Sequence, residues 1–187
     1  MYKLNLRSIY SILLILALGC GSDDIALINK VKRFEPQWMN LSEQVTYIEQ
    51  KLSITRRRYP KDLEAIEPQM RSVSASRQTE VFGLRSQYRN LMADRENLEK
   101  RFAKELERLQ KEVEDFNEWV NTLMKGKFDP GVADKRLRDF QKTHSLVKME
   151  MDDIEKSVVK NIQEHNSVMK QLGQQLRIYN NFDIAVR

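Results

Sequence analysis

The 187-residue chain has little of what compact domains use to change direction: six glycines and four prolines, with a single cysteine. Few glycines and prolines allow few turns, and a lone cysteine excludes an internal disulfide. No apolar stretch reaches the roughly 20 residues that span a bilayer as a helix. These absences argue against a domain of many short elements and against a transmembrane anchor, and they favour long helices.

The N-terminal region is arranged as an export signal. Lys3 and Arg7 precede an apolar stretch over residues 9–18, and the small residue Gly19 follows it. A basic start, a short apolar core and a small residue at the end are the three parts of a secretory signal peptide. We therefore predict that residues 1–19 are removed after export and that the protein is not cytoplasmic.

The end of this signal resembles the lipobox of bacterial lipoproteins in Ala17-Leu18-Gly19-Cys20. The resemblance is confined to the N-terminal segment, and Ala17 and Leu18 depart from the order that the family favours. It implies acylation of Cys20, with lipid on its sulfur and usually on its new amino terminus, as a membrane anchor. Two or more acyl chains hold a protein stably on a membrane. Ordinary cleavage after Gly19, which would leave Cys20 as a free thiol, is the alternative.

The residues after the cysteine bear on location. We predict that residues 20–24 are the lipidated cysteine and a polar tether. Gly21, where an Asp would retain the lipoprotein in the inner membrane under the Enterobacteria-type rule, favours the outer membrane. The Ser22-Asp23-Asp24 run resembles the surface-export tether of Bacteroidota lipoproteins. The expected location is therefore the outer membrane, on its periplasmic face or on the cell surface.

Charge gives no sign of a nucleic-acid partner. Without residues 1–19, 32 − 2 = 30 basic residues face 27 acidic ones, a net charge of about +3. The signs alternate along the chain, whereas nucleic-acid binding proteins concentrate basic residues on one surface. Nucleic-acid binding is therefore not expected.

Apolar residues recur at alternating steps of three and four. This 3.5-residue period is typical of a coiled coil, in which one apolar seam faces a partner helix. We predict an all-α fold, an elongated antiparallel coiled-coil hairpin with an additional N-terminal helix packed where the second helix outruns the third. The seam of the first helix comprises Val31, Phe34, Trp38, Leu41, Val45, Ile48, Leu52 and Tyr59.

Prolines and glycines define the predicted segments. Pro60 and Pro68 mark either a reversal or kinks in a continuous helix, and both alternatives stay open. Lys125 to Gly131 contain two glycines and a proline and predict a turn. The segments after the tether are a first helix at 25–59 kinked near Pro36, a second helix at 60–125, a turn at 126–131, a third helix at 132–179 and a tail at 180–187.

No motif for catalysis, a cofactor or a metal is found in the sequence. His144 and His165 both fall on the seam, 21 residues apart, too far to share a metal in one helix, so we expect them to set helix register. Phe128 in the predicted turn is a candidate docking residue. Arg56, Arg57 and Arg58 form a second candidate, either as a docking surface or as an ordinary solvated helix face.

The sequence thus predicts a non-enzymatic lipoprotein of the bacterial cell envelope, a structural or adaptor protein for envelope complexes. Its expected partners are the membrane, through the lipid anchor, and envelope proteins, through the seam or the hairpin tip. Pairing of seams also allows a homo-oligomer. The alternative function is that of a periplasmic holdase-like chaperone or client-binding protein.

Overall fold

The fold is all-α, as predicted. The computed structural model describes residues 22–125 and 129–177, and these form three helices. Helix α1 spans Ser22–Arg71, α2 spans Ala75–Met124 and α3 spans Pro130–Leu176. The predicted signal peptide, Cys20, Phe128 and the C-terminal tail lie outside the described residues.

The chain divides into two units, and each helix contributes a segment to both. Unit 1 contains residues up to Val45 and residues Ala103–Met151, while unit 2 contains Thr46–Phe102 and the chain from Asp152 onward. In unit 1, Phe34 of α1 contacts Phe116 of α2 and His144 of α3, with ring centroids 5.7 and 5.3 Å apart. The three helices therefore pack around a common core in this unit.

Unit 2 has the same three-helix packing. Tyr88 of α2 donates a hydrogen bond to the backbone oxygen of Tyr59 of α1, and Asn161 of α3 accepts one from the Tyr59 hydroxyl. Within each unit α2 runs antiparallel to α1 and α3. The prediction that α1 packs only beside an overhang of the second helix was wrong, because α1 contacts both other helices in each unit.

The predicted seams form the core. All eight seam residues named for the first helix are buried, and Ile48 and Tyr59 have no exposed surface. The wider stripe needed to pack against two helices instead of one also buries positions beside the seam. These flanking residues include Lys51, Thr55, Asp62, Glu105, Asn161 and Val168.

The boundary between α1 and α2 lies at 72–74, so the predicted boundary at 59/60 was wrong. Helix α1 continues through Pro36, Pro60 and Pro68. It ends where the side chain of Ser72 donates to the backbone oxygen of Gln69, 2.9 Å away. Because serine hydroxyls compete for backbone hydrogen bonds, the serine-rich stretch from 72 to 76 ends one helix and starts the next.

The other helix ends differ from prediction by a few residues. Helix α3 begins at Pro130, two residues before the predicted start. The carboxylate of Asp129 accepts hydrogen bonds from the backbone nitrogens of Gly131 and Val132, at 2.8 and 3.0 Å, which makes Asp129 the N-cap. At the other terminus Ser22 already belongs to α1, so the predicted polar tether over 20–24 is helical from residue 22.

Candidate functional site

The three predicted docking arginines lie on α1 in unit 2. Arg56 and Arg57 are exposed and Arg58 is half-buried. The Nε atom of Arg56 lies 2.9 Å from a carboxylate oxygen of Glu99, and that of Arg58 lies 3.7 Å from Asp62. Arg57 donates to a backbone oxygen of its own helix at 3.3 Å. Two of the three charges are thus already paired, and Arg57 is the one directed to solvent.

A cluster of polar side chains occupies the core of unit 2, centred on His165. The imidazole of His165 has no exposed surface and stacks on the Tyr59 ring, with centroids 4.1 Å apart and planes within 1°. Its Nε2 lies 3.3 Å from both the Tyr88 hydroxyl and a carboxylate oxygen of Asp62. One histidine thereby contacts polar groups from α1 and α2.

Hydrogen bonds extend the cluster to the third helix. The Tyr88 hydroxyl donates to the backbone oxygen of Tyr59 at 2.5 Å, and the Tyr59 hydroxyl donates to Asn161 Oδ1 at 2.8 Å. The amide nitrogen of Asn161 donates in turn to the backbone oxygen of Leu91 at 3.0 Å. Both tyrosine hydroxyls and the Asn161 amide are therefore satisfied inside the core, as buried polar groups must be.

The electrostatics of the cluster keep its hydroxyl groups as donors. Burial raises the pKa of Tyr59, with the nearby Arg95 charge opposing and Asp62 adding to the shift. Burial likewise raises the pKa of Tyr88, with a further contribution from Asp62. Tyr59, Tyr88 and His165 are fully buried, so the cluster lies inside the core of unit 2, where it joins the three helices.

The other seam histidine lies among aromatic rings in unit 1. His144 is buried, its ring centroid is 4.7 Å from that of Trp38, and its Nε2 lies 3.2 Å from the backbone oxygen of Gln37. Phe34 and Phe116 complete the surroundings, at 5.7 Å from each other. Burial lowers the pKa of His144, an effect that the Gln37 contact partly opposes. This histidine is a neutral core residue with a backbone partner.

An open groove runs between α2 and α3 on the surface of unit 2. Its volume is about 360 Å³, and Leu91 and Val168 form its apolar part. Asp94 and Glu164 contribute two carboxylates, of which Glu164 lies 3.8 Å from Lys160. Neutral hydrogen-bonding groups line the remainder, from Gln87, Asn90, Ser167 and Gln171. The groove can accept a side chain that is apolar along its stem and cationic at its end.

The sequence predicted Tyr59 and His165 as seam residues and gave no sign that Asp62 and Asn161 belong to the buried cluster. Over residues 22–125 and 129–177, no three side chains of His, Cys, Asp or Glu gather closely enough to hold a metal ion. In the same ranges, no helix has a stretch long and apolar enough to cross a membrane.

Comparison with protein-family models, curated proteins and solved structures found no match.

Proposed function

We propose that this protein is a membrane-anchored, coiled-coil lipoprotein of the bacterial cell envelope that acts as a structural or adaptor protein for envelope complexes. The observation that supports it is the lipobox-like Ala17-Leu18-Gly19-Cys20, followed within two residues by a three-helix body that begins at Ser22. A lipidated Cys20 attaches α1 to the membrane, and the outer membrane is favoured by Gly21.

The helical body suits a protein that works by contact. Its buried polar cluster holds three helices in one register, and a rigid scaffold presents surface side chains at fixed positions. In unit 2 the groove beside Leu91 and Val168 offers a partner a shallow apolar contact with a carboxylate, Asp94, at hand. Such a surface recognises a basic side chain of an envelope protein.

The anchor is tested by comparing the wild-type protein with Cys20→Ser after separation of membranes from soluble envelope fractions. We expect the wild type in the outer-membrane fraction, carrying acyl chains on Cys20 by mass spectrometry, and the variant in the soluble fraction. A variant that stays on the membrane would show that the anchor is not Cys20. Secretion and helix content of both chains serve as controls.

The adaptor role is tested by affinity isolation of the native complex from detergent-solubilised envelopes. We expect defined partners at constant stoichiometry. If the groove binds them, Asp94→Asn should lower the amount of partner recovered. The matched control is Asp139→Asn, another exposed carboxylate, on α3 in unit 1. Recovery of the bait alone would remove the support for an adaptor.

One observation favours the alternative, a holdase-like client-binding protein. Leu146 and Met149 lie one turn apart on α3 in unit 1, and 45% and 66% of their surfaces are exposed. Exposed apolar side chains on one helix face are what a client-binding surface requires. The test measures whether the protein suppresses aggregation of an unfolded outer-membrane protein. Suppression that is lost in the double variant Leu146→Gln with Met149→Gln would support this alternative over the adaptor.

A further inference from the structure

The start of α1, the end of α2 and the start of α3 meet at one end of unit 1. Lys30 Nζ lies 2.5 Å from Asp134 Oδ1, and these residues follow the starts of their helices by eight and four positions. The contact between Phe34 and Phe116 places the last two turns of α2 beside the same segment of α1. The end of α2 and the start of α3 therefore both lie beside the N-terminal part of α1.

This end is also the one nearest to Cys20. Only Gly21 lies between Cys20 and Ser22 in the sequence, and the two Cα-to-Cα steps span at most about 7 Å. The pairing of Lys30 with Asp134 sets Val132 level with Ile28, and Ile28 follows Ser22 by about 9 Å of helix rise. A lipid on Cys20 therefore holds the start of α3 within about 16 Å of the membrane, which is the sum of the span from Cys20 to Ser22 and the helix rise from Ser22 to Ile28.

The exposed residues at this end match a lipid headgroup region. Val132, in the first turn of α3, has 68% of its surface exposed. The exposed residues Lys125 and Lys135 flank it in sequence. An apolar side chain among lysines is the pattern of protein surfaces that rest at the membrane interface, where acidic lipids attract basic residues.

Two carboxylates at this end, those of Asp129 and Asp134, are already engaged. Asp129 caps α3 by accepting hydrogen bonds from two backbone nitrogens. Asp134 pairs with Lys30 and, at 2.9 Å, with Arg138. These bonds, led by the one from Lys30, lower the pKa of Asp134. Neither Lys125 nor Lys135 forms an ion pair with a carboxylate among residues 22–125 and 129–177, and both lysines are exposed.

We propose that this end of unit 1, with Val132, Lys125 and Lys135, lies on an anionic phospholipid surface as a second membrane contact beside the lipid anchor. The inference rests on the proposed anchor at Cys20. One valine and two lysines bind a membrane weakly by themselves, but the anchor makes the contact intramolecular and raises the effective concentration of lipid. The contact fixes the orientation of unit 1 at the membrane surface, whereas the anchor alone would let the unit reorient freely.

The test uses the lipidated protein in vesicles of phosphatidylethanolamine with phosphatidylglycerol. Acylation blocks the Cys20 sulfur, so Val132→Cys carries the only reactive thiol for an environment-sensitive fluorophore. Met149→Cys is the matched control, since Met149 is equally exposed, at 66%, on the same helix of the same unit. We expect a several-fold rise in fluorescence at 132, quenched by nitroxide placed at the headgroups, and no change at 149.

A second arm tests the charges. Lys125→Gln with Lys135→Gln should lower the signal at 132 at least twofold, as should vesicles of phosphatidylcholine alone. Equal, water-like fluorescence of the labels at 132 and 149 in vesicles would overturn the membrane contact. A rise in fluorescence at 132 in intact envelopes but not in vesicles would also overturn it and would assign the surface to a protein partner. If mass spectrometry finds no lipid on Cys20, the proposed function is overturned. If Cys20 is lipidated but the label at 132 has water-like fluorescence, only the membrane contact is overturned.

Discussion

The imidazole of His165 lies flat on the phenol ring of Tyr59, with ring centroids 4.1 Å apart. This contact joins α3 to α1 at a point where both side chains have no exposed surface. A polar residue in the seam is tolerated there because Tyr88 of α2 and Asn161 of α3 form hydrogen bonds with the pair. The cluster therefore admits one alignment of the helices, as single buried polar groups do in coiled coils.

Removing the Tyr59 hydroxyl tests this alignment. Tyr59→Phe keeps the stacked ring but deprives Asn161 Oδ1 of its donor, 2.8 Å away. Because a buried acceptor without a partner costs its desolvation, we expect a loss of about 1 to 3 kcal/mol in the free energy of unfolding. Chemical denaturation followed by circular dichroism measures it. A double variant with Asn161→Leu should recover part of the loss, and equal, additive losses would contradict a direct bond.

Replacing His165 separates its stacking from its polar contacts. His165→Phe retains a ring over Tyr59 while leaving a largely buried carboxylate, Asp62, without its imidazole neighbour 3.3 Å away. We expect destabilisation of about 1 to 3 kcal/mol, the cost of leaving buried polar groups without a partner. Adding Asp62→Leu should restore much of it, as measured by urea denaturation. A single variant as stable as the wild type would show that the polar contacts do not contribute.

His144 makes stability depend on pH. Burial lowers its pKa from 6.5 in the folded protein, so the unfolded chain binds the proton more tightly. Its contribution is fully present above the unfolded value and declines as the pH falls below about 6.5 toward the folded pKa. The free energy of unfolding measured from pH 8 to pH 5 should decline less steeply in His144→Gln than in the wild type. Parallel curves would contradict a neutral, buried His144.

Two glycines give opposite expectations for the same substitution. A Cβ at Gly83, on the exposed side of α2, would meet nothing within 4 Å. Gly83→Ala should therefore raise stability by about 1 kcal/mol, since glycine costs that much in a helix. A Cβ at Gly131 would lie 3.2 Å from the Asp129 carboxylate that caps α3. Gly131→Ala should stabilise less or destabilise in the same thermal unfolding measurement, and equal gains would argue against the cap.

The 3.5-residue period was enough to predict the all-α fold and most of the core. Val31 through Tyr59 in the first seam are buried as the spacing requires, because burial of one stripe is a local property of the helix. The number of packed helices was less accessible. Residues flanking the seam, such as Thr55 and Asn161, are buried because two helices cover each seam, and their polar side chains gave no apolar signal.

The first interhelix boundary was misplaced because proline was given more weight than serine. Pro60 lies inside α1, although a proline in a helix interior removes one backbone hydrogen bond and costs about 3 kcal/mol. Packing on two neighbouring helices outweighs that cost here, as the complete burial of Tyr59 indicates. The actual break follows Arg71, where the Ser72 hydroxyl donates to the backbone oxygen of Gln69, and the backbone oxygen of Ser74 accepts the first hydrogen bond of the next helix from Arg77.

The buried cluster could not be assembled from the sequence alone. Tyr59 and Asn161 are 102 positions apart, and only the register between two helices decides whether they meet. His165 and Asp62 likewise come from helices that no local pattern pairs. The sequence shows a histidine, two tyrosines and an asparagine near the seam. It does not show that α1 and α3 are parallel, and that alignment is what brings these residues together.

That parallel alignment sets an order of events in folding. Helix α1 is made first, yet the groups that satisfy Tyr59 from α3 follow it by about a hundred residues of chain. Neighbouring helices in sequence pair by closing short loops, whereas α1 and α3 must close one that includes the whole of α2. During synthesis, the seam of α1 therefore stays exposed until α3 has been made, and its apolar stripe is open to wrong contacts for that time.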